Sequence, residues 1–170
     1  MGGFKLMEQY EIINDFNQFS SWLSTLENID ETLWTEPIAT DKWSISEIIS
    51  HILNWDNHLL SEVLPSVRNE NGMDFPDFDA FNKNASEYAK SGISKTKLLK
   101  EAKDTRKLLV KELGEMPNEN LNKPLTANGV THCPFTGTPY SLLYIVKEFI
   151  DHDNHHKRQI TQFLKENNLG

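Results

Sequence analysis

From Leu142 to Phe163 the apolar residues return every three or four positions, and that rhythm leaves a helix as the regular structure this stretch can form. At 100° per residue with Phe149 at zero, Leu142, Ile145, Phe149, Ile160 and Phe163 fall within about 40° of one line. The same helix carries His152, His155 and His156. His156 lies about 20° from the apolar line and His152 about 60°, so both imidazoles point inward. His155, about 120° away, faces water or the rim. Two inward histidines four residues apart sit one above the other. That spacing suits two ligands of one metal ion, provided another segment supplies a third. Such a pair also occurs in helices that bind nothing, as satisfied core residues, so the question becomes whether an independent inward histidine exists.

The rest of the chain is read for further helices. Ile12, Phe16, Phe19, Leu23 and Leu26 are spaced four, three, four and three, which predicts a first helix from about Gln9 to Leu26. Residues 28–42, with Pro37, read as a connection pinned by Leu33 and Trp34. A second helix opens with a capping box, Ser44 with Glu47, and a staple of Trp43 on Ile48. Its stripe is Ile45, Ile48, Ile52, Trp55, Leu59 and Val63, and Pro65 is expected to end it. His51 and Glu62 lie on one flank of that stripe, which supplies the third histidine from a second helix; His58, nearer the boundary, is a reserve candidate. Phe78, Phe81, Ala85 and Tyr88 predict a short crossing helix over Asp77–Ala89, with Asn82 on the same face as a hydrogen-bond anchor. Ser94 caps a third long helix whose inner face is Leu98, Ala102, Leu109 and Leu113, stopped by Gly114; its lysine- and glutamate-rich outside is solvated. Gly114 to Gly137 is a long connection of the kind that covers sites, and it contains His132 and Cys133. Thr138 followed by Pro139 is the expected start of the fourth helix. Strand signals are weak throughout. The fold class expected is all-α, a four-helix bundle with short extra helices, as one domain over residues 1–170.

Charge and composition narrow the function. Seventeen basic against 25 acidic residues give a net charge of -8, with no Lys/Arg cluster, which argues against nucleic-acid binding. The chain has neither a basic amphipathic face nor an apolar run of about 20 residues, so no membrane partner is expected. A single cysteine, Cys133, excludes an internal disulfide and fits a reducing, cytoplasmic setting.

His51, His152 and His156 together make a three-imidazole set for a divalent ion such as zinc or nickel. Three protein ligands leave coordination positions open, the mark of a catalytic site, where an ion acidifies a bound water or thiol. Each ring also needs an acceptor for its second nitrogen, and Asp153 and Glu47 are near in sequence. The zincin motif H-E-x-x-H is absent, since Asp153 and not a glutamate follows His152.

K-W-S-I-S-E-I-I-S-H-I at Lys42–Ile52, D-A-F-N at Asp79–Asn82 and H-D-N-H-H-K-R-Q-I at His152–Ile160 resemble the DinB/YfiT-like superfamily of four-helix-bundle metalloenzymes, over nearly the length of the chain. The family's metal ligands fall on His51, His152 and His156. The resemblance implies nickel- or zinc-binding proteins, often homodimers, some of them S-transferases using a low-molecular-weight thiol (bacillithiol, mycothiol or glutathione) and others metal-dependent hydrolases. The expected activity is thiol-dependent S-transfer to a small electrophile in stress or detoxification. Metal-dependent hydrolysis is the alternative, for which the sequence offers no identifiable base, and a non-catalytic bundle related to DNA damage or stress is a third.

Overall fold

The computed structural model describes residues 2–168, and the four apolar stripes each become a helix. α1 (Gly2–Leu23) buries Phe16, Phe19 and Leu23, and a single 3-10 turn, Ser24–Leu26, closes it over Leu26. The helix reaches back beyond the expected start at Gln9 because Lys5, Leu6, Met7 and Glu8 are all good helix formers. A short helix, α2 (Glu31–Thr35), interrupts the predicted connection and buries Trp34.

α3 (Ile45–His58) begins as expected. Ser44 Oγ accepts from the Glu47 backbone N–H and the Glu47 carboxylate accepts from the Ser44 N–H, both at 3.2 Å. Pro65, however, does not end the helix. A π turn, Leu59–Val63, carries the chain into α4 (Leu64–Arg68), and Pro65 occupies the first turn of that segment. The wider turn changes the bonding pattern ahead of the proline, where its missing N–H is tolerated. α5 (Phe78–Ala89) is capped by Asp77 and lies against α3, where Ser50 Oγ donates to the Ala85 carbonyl at 2.7 Å and Ser86 Oγ to the Glu47 carboxylate at 2.6 Å. Ala85 is the buried contact; Phe78 (61% exposed) and Tyr88 stand off the packed face, unlike the expected stripe.

α6 (Lys95–Glu115) is capped by Ser94 and passes through Gly114 without stopping. It leaves the helix at Met116, which is extended (φ -72°, ψ 139°) because the residue before Pro117 is pushed out of the helical region. α7 (Asn118–Asn122) follows, and α8 (Leu142–Asn168) completes the bundle. Thr138 and Pro139 do not start α8. They pair back on the loop, where the Cys133 N–H donates to the Thr138 carbonyl and Tyr140 to Thr131. Ser141 Oγ instead accepts from the Tyr144 N–H at 3.1 Å. The loops at 69–77 and 123–141 hook together: Met73 donates to Thr126, and Asn128 donates to Met73. Gly72 lets the loops approach closely there: a Cβ would sit 2.3 Å from Thr126 Oγ1 and force that side chain to move.

The main packing is among α1, α3, α6 and α8, and the described residues contain isolated β-bridges but no strand. The buried apolar residues fall into two clusters. One joins Phe16, Leu59, Val63, Val67, Leu109, Leu113, Leu142 and Val146; the other joins Phe19, Leu23, Ile45, Ile48, Ile52, Leu98, Ala102 and Ile160. Along α3, α6 and α8 the polar residues Asp56, Arg106 and Asp153 stand between them. No described helix is long and apolar enough to cross a membrane.

Candidate metal centre

His51 is carried two turns into α3, and His152 and His156 lie one turn apart on α8. The helices face each other, so the three rings converge: Nε2 of His152 is 3.0 Å from Nε2 of His51 and 3.1 Å from Nε2 of His156. The ligand atoms of all three lie within 4.8 Å of one another, and this is the cluster of metal-binding type found among the described residues.

The surroundings fix which nitrogen carries the proton. Asn82 Oδ1 accepts from Trp55 Nε1 at 3.3 Å and lies 2.9 Å from His51 Nδ1. An indole N–H can only donate, so the oxygen faces both rings and His51 Nδ1 must be the second donor. That leaves His51 Nε2 with a bare lone pair. His156 is held the same way, its Nδ1 2.8 Å from Gln159 Oε1. Two lone pairs therefore meet around His152 Nε2, which can donate to one of them at most. A cation at the centre satisfies all three, and first-row ions take imidazole nitrogen at about 2.0–2.1 Å, the scale of this triangle.

Burial keeps the rings neutral. It lowers the His51 pKa to about 4, with the nearby His156 adding to the fall and the Asn82 bond opposing it. His152 falls to about 3, from burial first and then the neighbouring His156 and His51. His156 is lowered by burial, partly offset by Gln159. Neutral imidazoles are the form that binds a metal, so no proton has to be displaced at neutral pH.

Neither expected acceptor serves the histidines. Glu47 is taken by Ser44, Ser86 and Lys90. Asp153 turns away from the rings to Arg106, which is fully buried. Arg106 donates Nε and Nη2 to the two Asp56 oxygens at 2.8 and 3.1 Å, and Nη1 and Nη2 to those of Asp153 at 2.7 and 3.1 Å. Its last N–H goes to the Phe16 carbonyl at 2.9 Å, and Phe16 and Phe19 lie under the guanidinium. Arg106 thus ties α3 and α8, the two helices that carry the histidine triangle, together through residues close to His51 and next to His152. Burial, reinforced by Asp153, holds the Asp56 carboxyl up to about 6 although Arg106 pulls the other way.

The triangle opens on a cavity of about 400 Å³ reached by His51 and His152, with walls of Trp55, Phe75, Phe78, Tyr140, Ile145 and Phe149. Asn82, Asn128 and Glu148 are its polar lining. On the His156 side lies a smaller hollow of about 200 Å³, lined by Lys42, Trp43 and Gln159 among others.

The remaining candidates lie elsewhere. His155 is exposed, as expected. His58 is bound to the Asp74 carbonyl at 2.7 Å and packs on Trp55, outside the triangle. His132 is an exposed loop residue paired with Thr131. Cys133 is buried 3.9 Å from Glu148, and hydrogen bonds from Tyr144 and Thr136 draw its thiol down to about 7. Glu62 is exposed and plays no part. The sequence reading missed Arg106 and Gln159. Arg106 had a signal: it lies four residues after Ala102 and three before Leu109, on the apolar face of its helix.

Together these features define a four-helix bundle with a buried three-histidine cluster at the floor of an aromatic cavity. The family profile of the DinB superfamily matches residues 18–160, and the chain belongs to that superfamily. Among solved structures it is similar to YfiT from Bacillus subtilis, a probable metal-dependent hydrolase with an unusual four-helix bundle topology. That likeness has a TM-score of 0.72 at 14% identity and covers 93% of this chain and 86% of the other, so it is a likeness of fold. No curated protein matches the chain significantly by sequence.

Proposed function

We propose that this protein is a metal-dependent hydrolase in which His51, His152 and His156 hold one divalent ion, zinc or nickel, and the adjoining cavity takes a small-molecule ester or amide. The observation that carries the proposal is the convergence of three imidazole nitrogens beside a cavity, with the His51 and His156 protons turned outward. A divalent ion held there supplies Lewis-acid chemistry, acidifying water toward neutral pH and polarising a carbonyl. The chain's own part is to hold and shield. Asn82 and Gln159 fix the His51 and His156 rings, and Arg106 fixes the spacing of the helices behind them. Trp55, Phe75 and Phe149 exclude bulk water, which strengthens electrostatic interactions inside. His51 and His152 border the cavity, so an ion held by the three histidines would lie beside the space that takes the substrate. A cytoplasmic location and a homodimer accompany the proposal, on the single cysteine and the family resemblance respectively.

Thiol-dependent S-transfer is the second reading, favoured by the hollow on the His156 side, which gives a low-molecular-weight thiol its own approach to the triangle. The two part on one measurement. Tag-free protein is assayed for metal by mass spectrometry beside His51→Ala and His156→Ala, then loaded with zinc or nickel and offered p-nitrophenyl acetate without thiol. Near one ion per chain, lost in both variants, with metal-dependent hydrolysis, is the expected result. Turnover of 1-chloro-2,4-dinitrobenzene only with added thiol would replace hydrolysis by transfer. Protein that takes up no ion would sink both and leave a non-catalytic bundle.

A further inference from the structure

The cavity's lining is uneven in charge. Trp55 is its hub, with the rings of Phe78, Phe149 and Phe75 at 5.5, 6.2 and 6.4 Å. Phe78 stands 61% exposed at the mouth, and Tyr140 and Ile145 complete the apolar wall. Of the polar groups, Asn82 spends its oxygen on His51 and Trp55, and Asn128 spends its own on the Phe75 N–H at 2.7 Å. Glu148 is different. It is the one carboxylate in the lining, which contains no lysine or arginine; it is exposed at the rim, and its side-chain partners are Cys133 Sγ at 3.9 Å and the Tyr144 hydroxyl. No ion pair among the described residues involves it.

An aromatic box with one carboxylate at its rim that no cationic side chain neutralises is the chemistry that recognises an organic cation. Ring faces attract ammonium groups through their quadrupole, and a carboxylate supplies the counter-charge. Glu148 precedes His152 by one helical turn, about 6 Å along the axis, so a cation bound there leaves room for a second group to reach the histidines. The chain's net charge of -8 draws cations from a distance and repels anions.

We infer that the cavity selects an amine or quaternary ammonium compound with an apolar body, and that Glu148 is the residue that reads its charge. This names the substrate class of the hydrolytic site proposed above and rests on that reading for the reaction, though not for the binding.

The test uses three probes with one body and different heads: 4-phenylbutyltrimethylammonium, 4-phenylbutanol and 4-phenylbutyrate. Calorimetric titration is run first on chelator-treated protein, so that no ion can attract the carboxylate. The ammonium is expected to bind about tenfold more tightly than the alcohol, and the carboxylate more weakly than either. Glu148→Gln should bring the ammonium to the level of the alcohol, and Phe78→Ala should weaken all three probes. Equal binding of ammonium and alcohol, an order that persists in Glu148→Gln, or no binding at all would each overturn the inference. Hydrolysis is scored separately on the zinc-loaded protein with p-nitrophenyl acetate. Charge selection without hydrolysis would therefore refute the proposed reaction and keep the cation site, and hydrolysis without charge selection would do the reverse.

Discussion

Two polar clusters share the middle of this bundle, and they are built on opposite rules. Around Arg106 five N–H donors meet five oxygens, and positive charge lies between two carboxylates. Around His152 two neighbouring rings, His51 and His156, turn their protons outward and point their lone pairs at its Nε2. The first cluster is complete within the chain; the second asks for a cation from outside. Both draw on α3 and α8, so the closed cluster fixes the helices whose inner faces form the open one. The contrast separates a polar cluster that holds the fold from one that, on the proposed function, holds an ion.

The largest effect should come from breaking the closed cluster. Arg106→Met strands two buried carboxylates, and urea denaturation should show a loss of about 3–5 kcal/mol. Replacing all three members with apolar residues of similar volume should recover most of that loss. If Arg106→Met alone proved nearly neutral, the cluster would not be the clamp described here.

Next comes filling the open cluster. Zinc at about 100 times its Kd should stabilise the wild type by about 2.7 kcal/mol, and thermal denaturation of His152→Ala should show no such gain. An equal gain in the variant would place the ion elsewhere.

A smaller effect tests the outward turn of the protons. Asn82→Ala removes the acceptor for His51 Nδ1, and competition with a chromogenic chelator should show zinc affinity about 10–100-fold weaker. Unchanged affinity would mean that the His51 ring is oriented by its packing alone.

The smallest signal is a slope. The folded pKa values of His51 and His152, about 4 and 3, lie below the ordinary 6.5, so the stability these rings allow is fully present above about pH 6.5 and lost as pH falls toward 3. Asp56 runs the other way: its folded value of about 6 exceeds 3.8, so its contribution is present below pH 3.8 and lost as pH rises through 6. The two oppose each other between about pH 4 and 6. Metal-free Asp56→Asn should therefore lose stability more steeply on acidification through that window than the wild type. Parallel profiles would show that Asp56 does not titrate differently in the folded state.

Much of this was legible in the sequence because an apolar stripe is a local signal. The stripes through Phe16, Ile52, Leu109 and Phe149 gave four helices, and angles from those stripes turned His51, His152 and His156 inward. Boundaries set by a neighbouring residue's backbone were harder: Met116 before Pro117 ends α6, not Gly114, and Ser141 caps α8, not Thr138. Non-local pairings were out of reach. Arg106 and its carboxylates lie 50 and 47 residues apart, and nothing in a helical stripe says that three charges on three helices meet. The cavity was equally hidden, because its wall includes loop residues, among them Phe75 and Asn128, whose placement depends on the two loops hooking together at Gly72.

The two apolar clusters either side of the polar residues have a consequence for how the molecule comes apart. Each half-core is a candidate cooperative unit, and α1, α3, α6 and α8 must transmit order between the halves across a layer held by directional bonds. Amide exchange should report this layer as a coupling element: with Arg106 in place the halves open together, and with it removed they open with separate free energies. A bound ion, by bridging His51 and His156 across α3 and α8, would then act as a second rivet between two pieces of protein that hydrophobic contact alone joins loosely.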